Sequence, residues 1–329
     1  MTRVLSGIQP TGEVHLGNYV GAIRHWVADQ YEHDAYYCVV DLHALTNPLD
    51  PEVLRRKTLD AATALLAAGL DPEICTLFVQ SHIHEHTELC WLLECTASMG
   101  ELRRMTQFKD KAAKGGEAEA RVGLFTYPVL QAADILLYEA DRVPVGDEQR
   151  QHLELCRDLA IRFNSRYGAT FVVPEAAIPK VGARIMDLQN PRAKMSKSTD
   201  SPQGTVALFD PPEVITRKIK RAVTDTDSEV HYDPATKPGV SNLLELLAVA
   251  TDRLPKEAAA GYTQYGPLKA DTAAAVVEFL RPVQERYRSL AADPGHVTAV
   301  LAAGATKAQS VASPTLARAQ AAIGLLPKG

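Results

Sequence analysis

Ser6-Gly7-Ile8-Gln9-Pro10-Thr11-Gly12-Glu13-Val14-His15-Leu16-Gly17-Asn18-Tyr19 runs from the end of an apolar strand, through a Gly/Pro-rich turn, into the start of a helix. Strand, tight turn and helix in that order open a parallel α/β sheet. A helix start offers N–H groups without intrahelical partners and the positive end of the helix dipole, so the turn suits an anion such as a polyphosphate. His15 and Asn18 add polar side chains, while Gly7, Gly17 and Gly21 remove Cβ atoms where a base or phosphate could lie against the backbone. Taken alone, the segment is equally a tight connection whose histidine caps a helix.

Outward from this turn, short β-rich runs alternate with amphipathic stretches. Strands are predicted over 4–8, 35–41, 76–80 and 142–145. Between the second and third, Leu54, Thr58, Ala61, Leu65 and Ala68 share one helical face over 51–68, and Gly69 stands at the stop position. The pattern is that of a Rossmann-like, doubly wound parallel α/β sheet. Past Pro174 the character changes: Pro179, Gly182, Pro191, Pro202 and Gly204 punctuate an irregular stretch, and helices are predicted over 212–223, 242–251, 272–290 and 297–325. We therefore expect an α/β domain over 1–190 and an α-helical C-terminal domain over 191–329, with a mobile loop at Gly115-Gly116.

The chain has 329 residues, enough for two such domains, and is 46% hydrophobic and 23% charged. No apolar run approaches the roughly 18 residues of a membrane span. The first residues enter strand-like sequence without a signal-peptide pattern, so a cytoplasmic location is expected. Five cysteines (Cys38, Cys75, Cys90, Cys95 and Cys156) without a C-x-x-C pair argue against a zinc knuckle or disulfide framework. A net charge of −5 excludes general affinity for nucleic acid, so an RNA partner requires local basic patches.

A second motif, Lys194-Met195-Ser196-Lys197-Ser198, lies in the irregular stretch. Two lysines on a short loop can reach phosphates as point charges and follow them as charge builds on a leaving group. HLGN followed by KMSKS resembles the HIGH and KMSKS signatures of class I aminoacyl-tRNA synthetases. More closely, 6–18, Met105-Thr106-Gln107-Phe108-Lys109-Asp110-Lys111, 127–138, 143–154, Gly182-Ala183-Arg184-Ile185-Met186 and KMSKS follow the order seen in bacterial tryptophanyl-tRNA synthetases, a resemblance that runs from residue 4 to about 325.

The resemblance implies ATP as substrate, Mg²⁺ carried on its phosphates with no protein metal ligands, and tryptophan and tRNA(Trp) as partners of a homodimer. Lys111, Lys194 and Lys197 would serve catalysis. Asn18, with Ser196 in support, would contact phosphates; Gln9, His15, Gly17 and Gly21 would border the nucleotide. Ile185 and Met195 would pack on adenine, and Gly146-Asp147-Glu148-Gln149 would approach the ribose. Around tryptophan it implies Gly7, His43, Tyr127, Gln131, Asp134, Val143, Val145 and Gln149. Of these, Asp134 would accept the indole N–H, and Tyr127 and Gln149 would hold the α-ammonium. On a helix starting near Tyr127, positions 127, 131 and 134 share a face. Gln131 stands where many members have Met, Leu5 where many have Phe, and the loop reads Gly-Asp-Glu-Gln in place of Gly-Glu-Asp-Gln.

The basic residues Arg217, Lys218, Lys220 and Arg221, with Arg281, Arg286 and Arg288, are candidates for tRNA contact, although such runs are commonly solvated faces. A tyrosyl-tRNA synthetase, a small-molecule nucleotidyltransferase and a non-catalytic RNA-binding relative stay open as alternatives. Amino-acid-dependent ATP–pyrophosphate exchange separates them.

Overall fold

Strands β1 (Arg3–Ile8), β2 (Asp34–Val39), β3 (Thr76–Val79), β4 (Arg142–Pro144) and β5 (Glu175–Ala177) form one parallel sheet in the order β3-β2-β1-β4-β5. The structure, a computed structural model, describes residues 1–109, 121–144, 146, 149–177, 184–196, 202–227 and 229–327. The four strands predicted from sequence form with their ends shifted by one or two residues. β5 was not predicted, because the run Glu175-Ala176-Ala177 is too short and too poor in β-branched residues to register as a strand.

The central strands are buried on both faces, and successive residues feed different cores. Val4, Ala35, Tyr37, Val39, Leu77 and Val79 enter one apolar cluster. Leu5, Tyr36, Cys38 and Phe78 enter the other. That two-sided burial explains why the strands read as continuous apolar runs in sequence. The first cluster takes residues from the helical run at 16–29 and from helix Pro51–Ala68; the second takes them from helices Glu85–Glu94, Val122–Leu137 and Arg150–Tyr167. Helices on both faces make the sheet doubly wound.

Helix Pro51–Ala68 forms at the predicted bounds because its ends are specified locally. Asp50 accepts from the N–H groups of Glu52 and Val53 at 3.0 and 3.1 Å, Pro51 takes the first helical position, and Gly69 closes the helix at φ +119°. Helix Val122–Leu137, in contrast, begins five residues before Tyr127, where the sequence had placed its start.

The C-terminal helices complete both cores. Val240, Leu243, Leu268 and Leu280, from helices Pro238–Thr251 and Tyr265–Ala291, join the first cluster. In helix Pro294–Ala322, Val297 and Leu301 belong to the first cluster and Ala308, Ala312 and Leu316 to the second. This helix therefore passes over the edge strand β3 from one face to the other, covering an edge that would otherwise be free to pair. The crossing point is Gly304, where a Cβ would lie 1.8 Å from the Leu77 carbonyl oxygen. A Gly304→Val substitution should lower the unfolding free energy by about 3 kcal/mol or more, read as a shift in the urea midpoint.

Candidate active site

β1 and β4 share a single register pair, Val4 with Arg142, extended by the Asp141 N–H donating to Arg3 O at 3.0 Å. Further along, the Ser6 hydroxyl bridges to Pro144 O at a long 3.4 Å. The strands thus part toward their C-terminal ends, where the chain leaves β1 for one face and β4 for the other. Such a switch point opens a crevice. Here it is a cavity of about 970 Å³, with Gly7, Gln9, Gly17, Asn18, Gly21 and Lys194 on the β1 side. His43, Tyr127, Gln131, Asp134, Val143, Gly146 and Gln149 line the remainder. Its size suits a ligand larger than an amino acid alone.

At the deep end Asp134 is 4% exposed and its carboxylate meets three polar side chains. His43 Nε2 lies 2.7 Å from Oδ2; Gln80 Nε2 donates to Oδ1 at 2.7 Å and His86 Nδ1 lies 2.7 Å from the same oxygen. The far nitrogen of His86 meets the buried Tyr138 hydroxyl at 2.8 Å. Burial by itself would push the Asp134 carboxyl up, but the His43 and His86 rings overcome it and hold the group well below the usual carboxylate range. Gln80, His86 and Tyr138 carried no assignment from sequence. Gln80, closing the apolar run Leu77-Phe78-Val79, was the visible signal: an uncharged polar residue at the end of a buried run.

Nearer the mouth, the Tyr127 hydroxyl donates to Gln107 Oε1 at 2.9 Å and lies 2.9 Å from His152 Nε2. Gln149 Oε1 is 2.9 Å from His152 Nδ1 and accepts from Gln131 Nε2 at 3.3 Å. Tyr127 and Gln131 therefore converge, as their helical spacing implied, and Gln149 joins them from the chain after β4, with Gln107 and His152 as members that sequence reasoning did not assign. Burial pushes the Tyr127 phenol up to about 12 and it stays protonated. Burial, followed by the proximity of His43, lowers His152 from 6.5 to about 4.

The two signature loops are tied together by backbone. Leu16 N–H donates to Val206 O at 2.9 Å, Leu208 N–H donates to Val14 O at 2.8 Å, and His15 pairs with Ala207 in an antiparallel bridge. On the other side, Met186 pairs with Lys194, Met195 N–H donates to Ile185 O at 3.1 Å, and the Asn242 amide grips both Met186 N–H and Met186 O, at 2.8 and 2.9 Å. The segment following KMSKS is thus fixed against the nucleotide turn, and the one entering it against residues 185–187.

This arrangement corrects the reading of that turn. Leu16 N–H is taken by Val206, and Asn18 N–H by His15 Nδ1 at 3.2 Å, while Asn18 Oδ1 accepts from His15 N–H. His15, 3% exposed, is a helix cap, so the turn presents the Asn18 amide nitrogen and Lys194 to the cavity more than a row of free N–H groups. A Cβ at Gly17 would press on the His15 ring at 3.1 Å and on Met195 Cβ at 3.4 Å, whereas one at Gly21 would meet nothing within 4 Å. Gly17 thus lets the two loops pack, and Gly21 leaves open space in the cavity. Ile185 and Met195, 2% and 1% exposed, belong to the apolar cluster beneath the turn together with Leu16. Lys111, Val145, Asp147, Glu148 and Lys197, and the loop at Gly115-Gly116, lie outside the described residues.

The basic run on helix Pro212–Lys220 is not a uniform patch. Arg217, Lys220 and Arg221 are exposed, but Lys218 is buried and donates to Thr205 O at 2.8 Å and to Asp210 Oδ2 at 2.7 Å. The same Asp210 oxygen accepts from Ala207 N–H at 2.9 Å, and Thr205 donates to Ser196 O at 3.1 Å. Lys218 is therefore a clasp on the segment that joins the two loops. Arg286 donates to Ala67 O at 2.6 Å and Arg281 to Glu278 at 2.7 Å, so both have partners within the chain.

Lys218→Met should raise the KM for ATP severalfold while leaving RNA affinity in a filter-binding assay unchanged. For His152, the unfolded chain takes up a proton that the folded protein refuses between about pH 6.5 and 4, so this contribution is full above 6.5 and is lost as pH falls. Urea midpoints at neutral and acidic pH should show a shallower loss of stability in His152→Phe than in the wild-type protein.

The family model described as tRNA synthetases class I (W and Y) matches residues 1–281. Tryptophan–tRNA ligase 1 of Streptomyces coelicolor is 58% identical over 332 residues, covering 99% of this chain and 98% of that one. The crystal structure of tryptophanyl-tRNA synthetase from Mycoplasma pneumoniae superposes with a TM-score of 0.92 at 37% identity, covering 99% of this chain and 98% of the other. That of Campylobacter jejuni, complexed with ADP and tryptophan, gives 0.86 at 36% identity over 98% of this chain and 100% of the other. With agreement in sequence and in three dimensions along nearly its whole length, the chain belongs to the class I aminoacyl-tRNA synthetases, in the bacterial tryptophanyl-tRNA synthetase family.

Proposed function

We propose that the switch-point cavity carries out the tryptophan–tRNA ligase reaction, and the observation that carries this reading is the buried, ionised Asp134 at its deep end. An indole has one polar atom, a ring N–H. A desolvated carboxylate aimed at that atom rejects rings lacking it far more strongly than apolar contact could. His43, Val143 and Gly7 line the cavity beside Asp134 and would supply surface for the flat ring, as Val145 would by the resemblance. Toward the mouth, Tyr127 Oη and Gln131 Oε1 offer neutral acceptors to the α-ammonium, with Gln149 holding the Gln131 amide beside them.

Bound this way, the amino-acid carboxylate points toward the nucleotide turn. One carboxylate oxygen attacks the α-phosphorus in line, the bond from that phosphorus to the bridging oxygen breaks, and pyrophosphate leaves with the electron pair. The terminal ribose hydroxyl of tRNA(Trp) then attacks the carbonyl of the tryptophanyl-adenylate and AMP departs. No side chain is a nucleophile; the chain positions reactants and neutralises charge. Asn18, Lys194, Lys111, Lys197 and Ser196 would hold the phosphates. Gln9, His15, Gly17 and Gly21 would border the nucleotide, Ile185 and Met195 would support adenine, and Gly146, Asp147, Glu148 and Gln149 would approach the ribose.

Beside the nucleotide turn, Asn18 and Lys194 present donors that suit phosphates. Mg²⁺ would be held by the phosphate oxygens and would supply further neutralisation of their charge. Functionally, 1–190 would carry the tryptophan and ATP sites, and 191–329 the KMSKS loop and the helices that meet the tRNA anticodon, with Arg217, Lys220 and Arg221 exposed for RNA. A homodimer in the cytoplasm completes the reading. Among the described residues no helix is long and apolar enough to cross a membrane.

ATP–pyrophosphate exchange should appear with tryptophan and not with tyrosine; absence of exchange with any amino acid would refute the assignment. Asp134→Ala should lower kcat/KM for tryptophan by about 100-fold, because it removes a charged acceptor and leaves His43, Gln80 and His86 unpaired, while the KM for ATP changes little.

A further inference from the structure

We infer that His86 and Gln80 are specificity-determining positioning residues: by occupying both acceptor positions of Asp134 Oδ1, they leave the carboxylate a single open site, on Oδ2, for a ring N–H. The inference rests on the ligase reading above and deepens it.

An ionised carboxylate has about four acceptor sites, two on each oxygen. Gln80 Nε2 and His86 Nδ1, each 2.7 Å from Oδ1, fill one oxygen; His43 Nε2, 2.7 Å from Oδ2, fills half of the other. With both positions on one oxygen tied down, the carboxyl plane cannot rotate without breaking two charge-assisted bonds. The one remaining acceptor direction is therefore fixed relative to the cavity wall. A single fixed acceptor matches a single ring donor.

His86 is itself held in one protonation pattern. Asp134 can only accept, so Nδ1 carries the proton that bonds to it, and Nε2 accepts from the Tyr138 hydroxyl at 2.8 Å. Tyr138 is fully buried, and among the described residues its hydroxyl has no other hydrogen-bond partner, so reversing the pattern would strand a buried proton. Phe78 stacks on the His86 ring at 6.1 Å and Tyr138 packs at 5.5 Å, which fixes the ring plane. Gln80 and His86 come from the end of β3 and the helix after it, while Asp134 comes from helix Val122–Leu137. The pocket's selectivity thus depends on an element that supplies no surface for the amino acid's polar ends.

The test is ATP–pyrophosphate exchange with tryptophan and with β-(3-benzothienyl)alanine, in which sulfur replaces the ring N–H and ring size is kept. The readout is the ratio of the two kcat/KM values. His86→Asn places an amide donor where Nδ1 was and should hold the ratio near that of the wild-type protein. His86→Gln, which reaches only the Nε2 position, and Gln80→Leu should each lower it about tenfold, the loss expected when one charge-assisted bond no longer aligns the acceptor. If both variants lose activity equally toward the two amino acids, with the ratio unmoved, His86 and Gln80 only support the fold and the inference is overturned. Should His86→Gln not fold, Gln80→Leu decides the matter by the same ratio. Wild-type protein showing no tryptophan-dependent exchange overturns the ligase reading and this inference with it, whereas exchange with an unmoved ratio overturns the inference alone.

Discussion

Because β1 and β4 share one register pair and then diverge, every group that matters to the chemistry can reach the same space. In a doubly wound sheet the connections leave neighbouring central strands toward opposite faces, and no helix covers the gap between them. β1 delivers Gly7 and the nucleotide turn to one wall; β4 and the chain after it deliver Val143, Gly146 and Gln149 to the other. Helix Val122–Leu137 contributes Tyr127, Gln131 and Asp134 from below. Had β1 and β4 stayed paired to their ends, Ser6 and Pro144 would be ladder partners and the cavity would be closed.

The cavity divides by polarity. Its deep end keeps a negative charge in a desolvated place, which is stable only because three donors converge on it from three separate elements. The middle is neutral, with His152 and Tyr127 both held uncharged by burial. Beside the nucleotide turn lies the positive charge of Lys194. A zwitterionic amino acid laid along this gradient has its ammonium among neutral oxygens and its carboxylate directed at the phosphates, which is the orientation that adenylate formation requires.

The nucleotide end is organised by main-chain pairing more than by side chains. Residues 206–208 pair with the turn at 14–16, residues 185–187 pair with the entry to KMSKS, and Lys218, Asp210 and Asn242 secure those segments from the helical half. Lys194 is thereby tied to the helical half through short, directional bonds. The C-terminal helix Pro294–Ala322 adds a second tie, since Gln309 and Ser313 bond to the buried Glu85, the neighbour of His86.

Much of this was legible in the sequence for local reasons. Two-sided apolar runs specify parallel strands; Asp50, Pro51 and Gly69 specify a helix at its bounds; HLGN and KMSKS specify loops that handle phosphate; and the 127, 131, 134 spacing specifies one face of a helix. These are properties of contiguous residues, and a linear pattern records them. The sequence could not disclose which polar residues would meet. Gln80 and His86 become partners of Asp134, Tyr138 a partner of His86, and Gln107 and His152 partners of Tyr127, only when segments 20 to 54 residues apart are folded together. Likewise Lys218 looks like its exposed neighbours in a basic run until helix Pro212–Lys220 turns it inward onto Asp210. Sequence determined the fold and the class of chemistry because both are written in local periodicity and short motifs. Tertiary structure alone decided which donors hold Asp134 in place, since that depends on distance in space between residues that have no fixed relation along the chain.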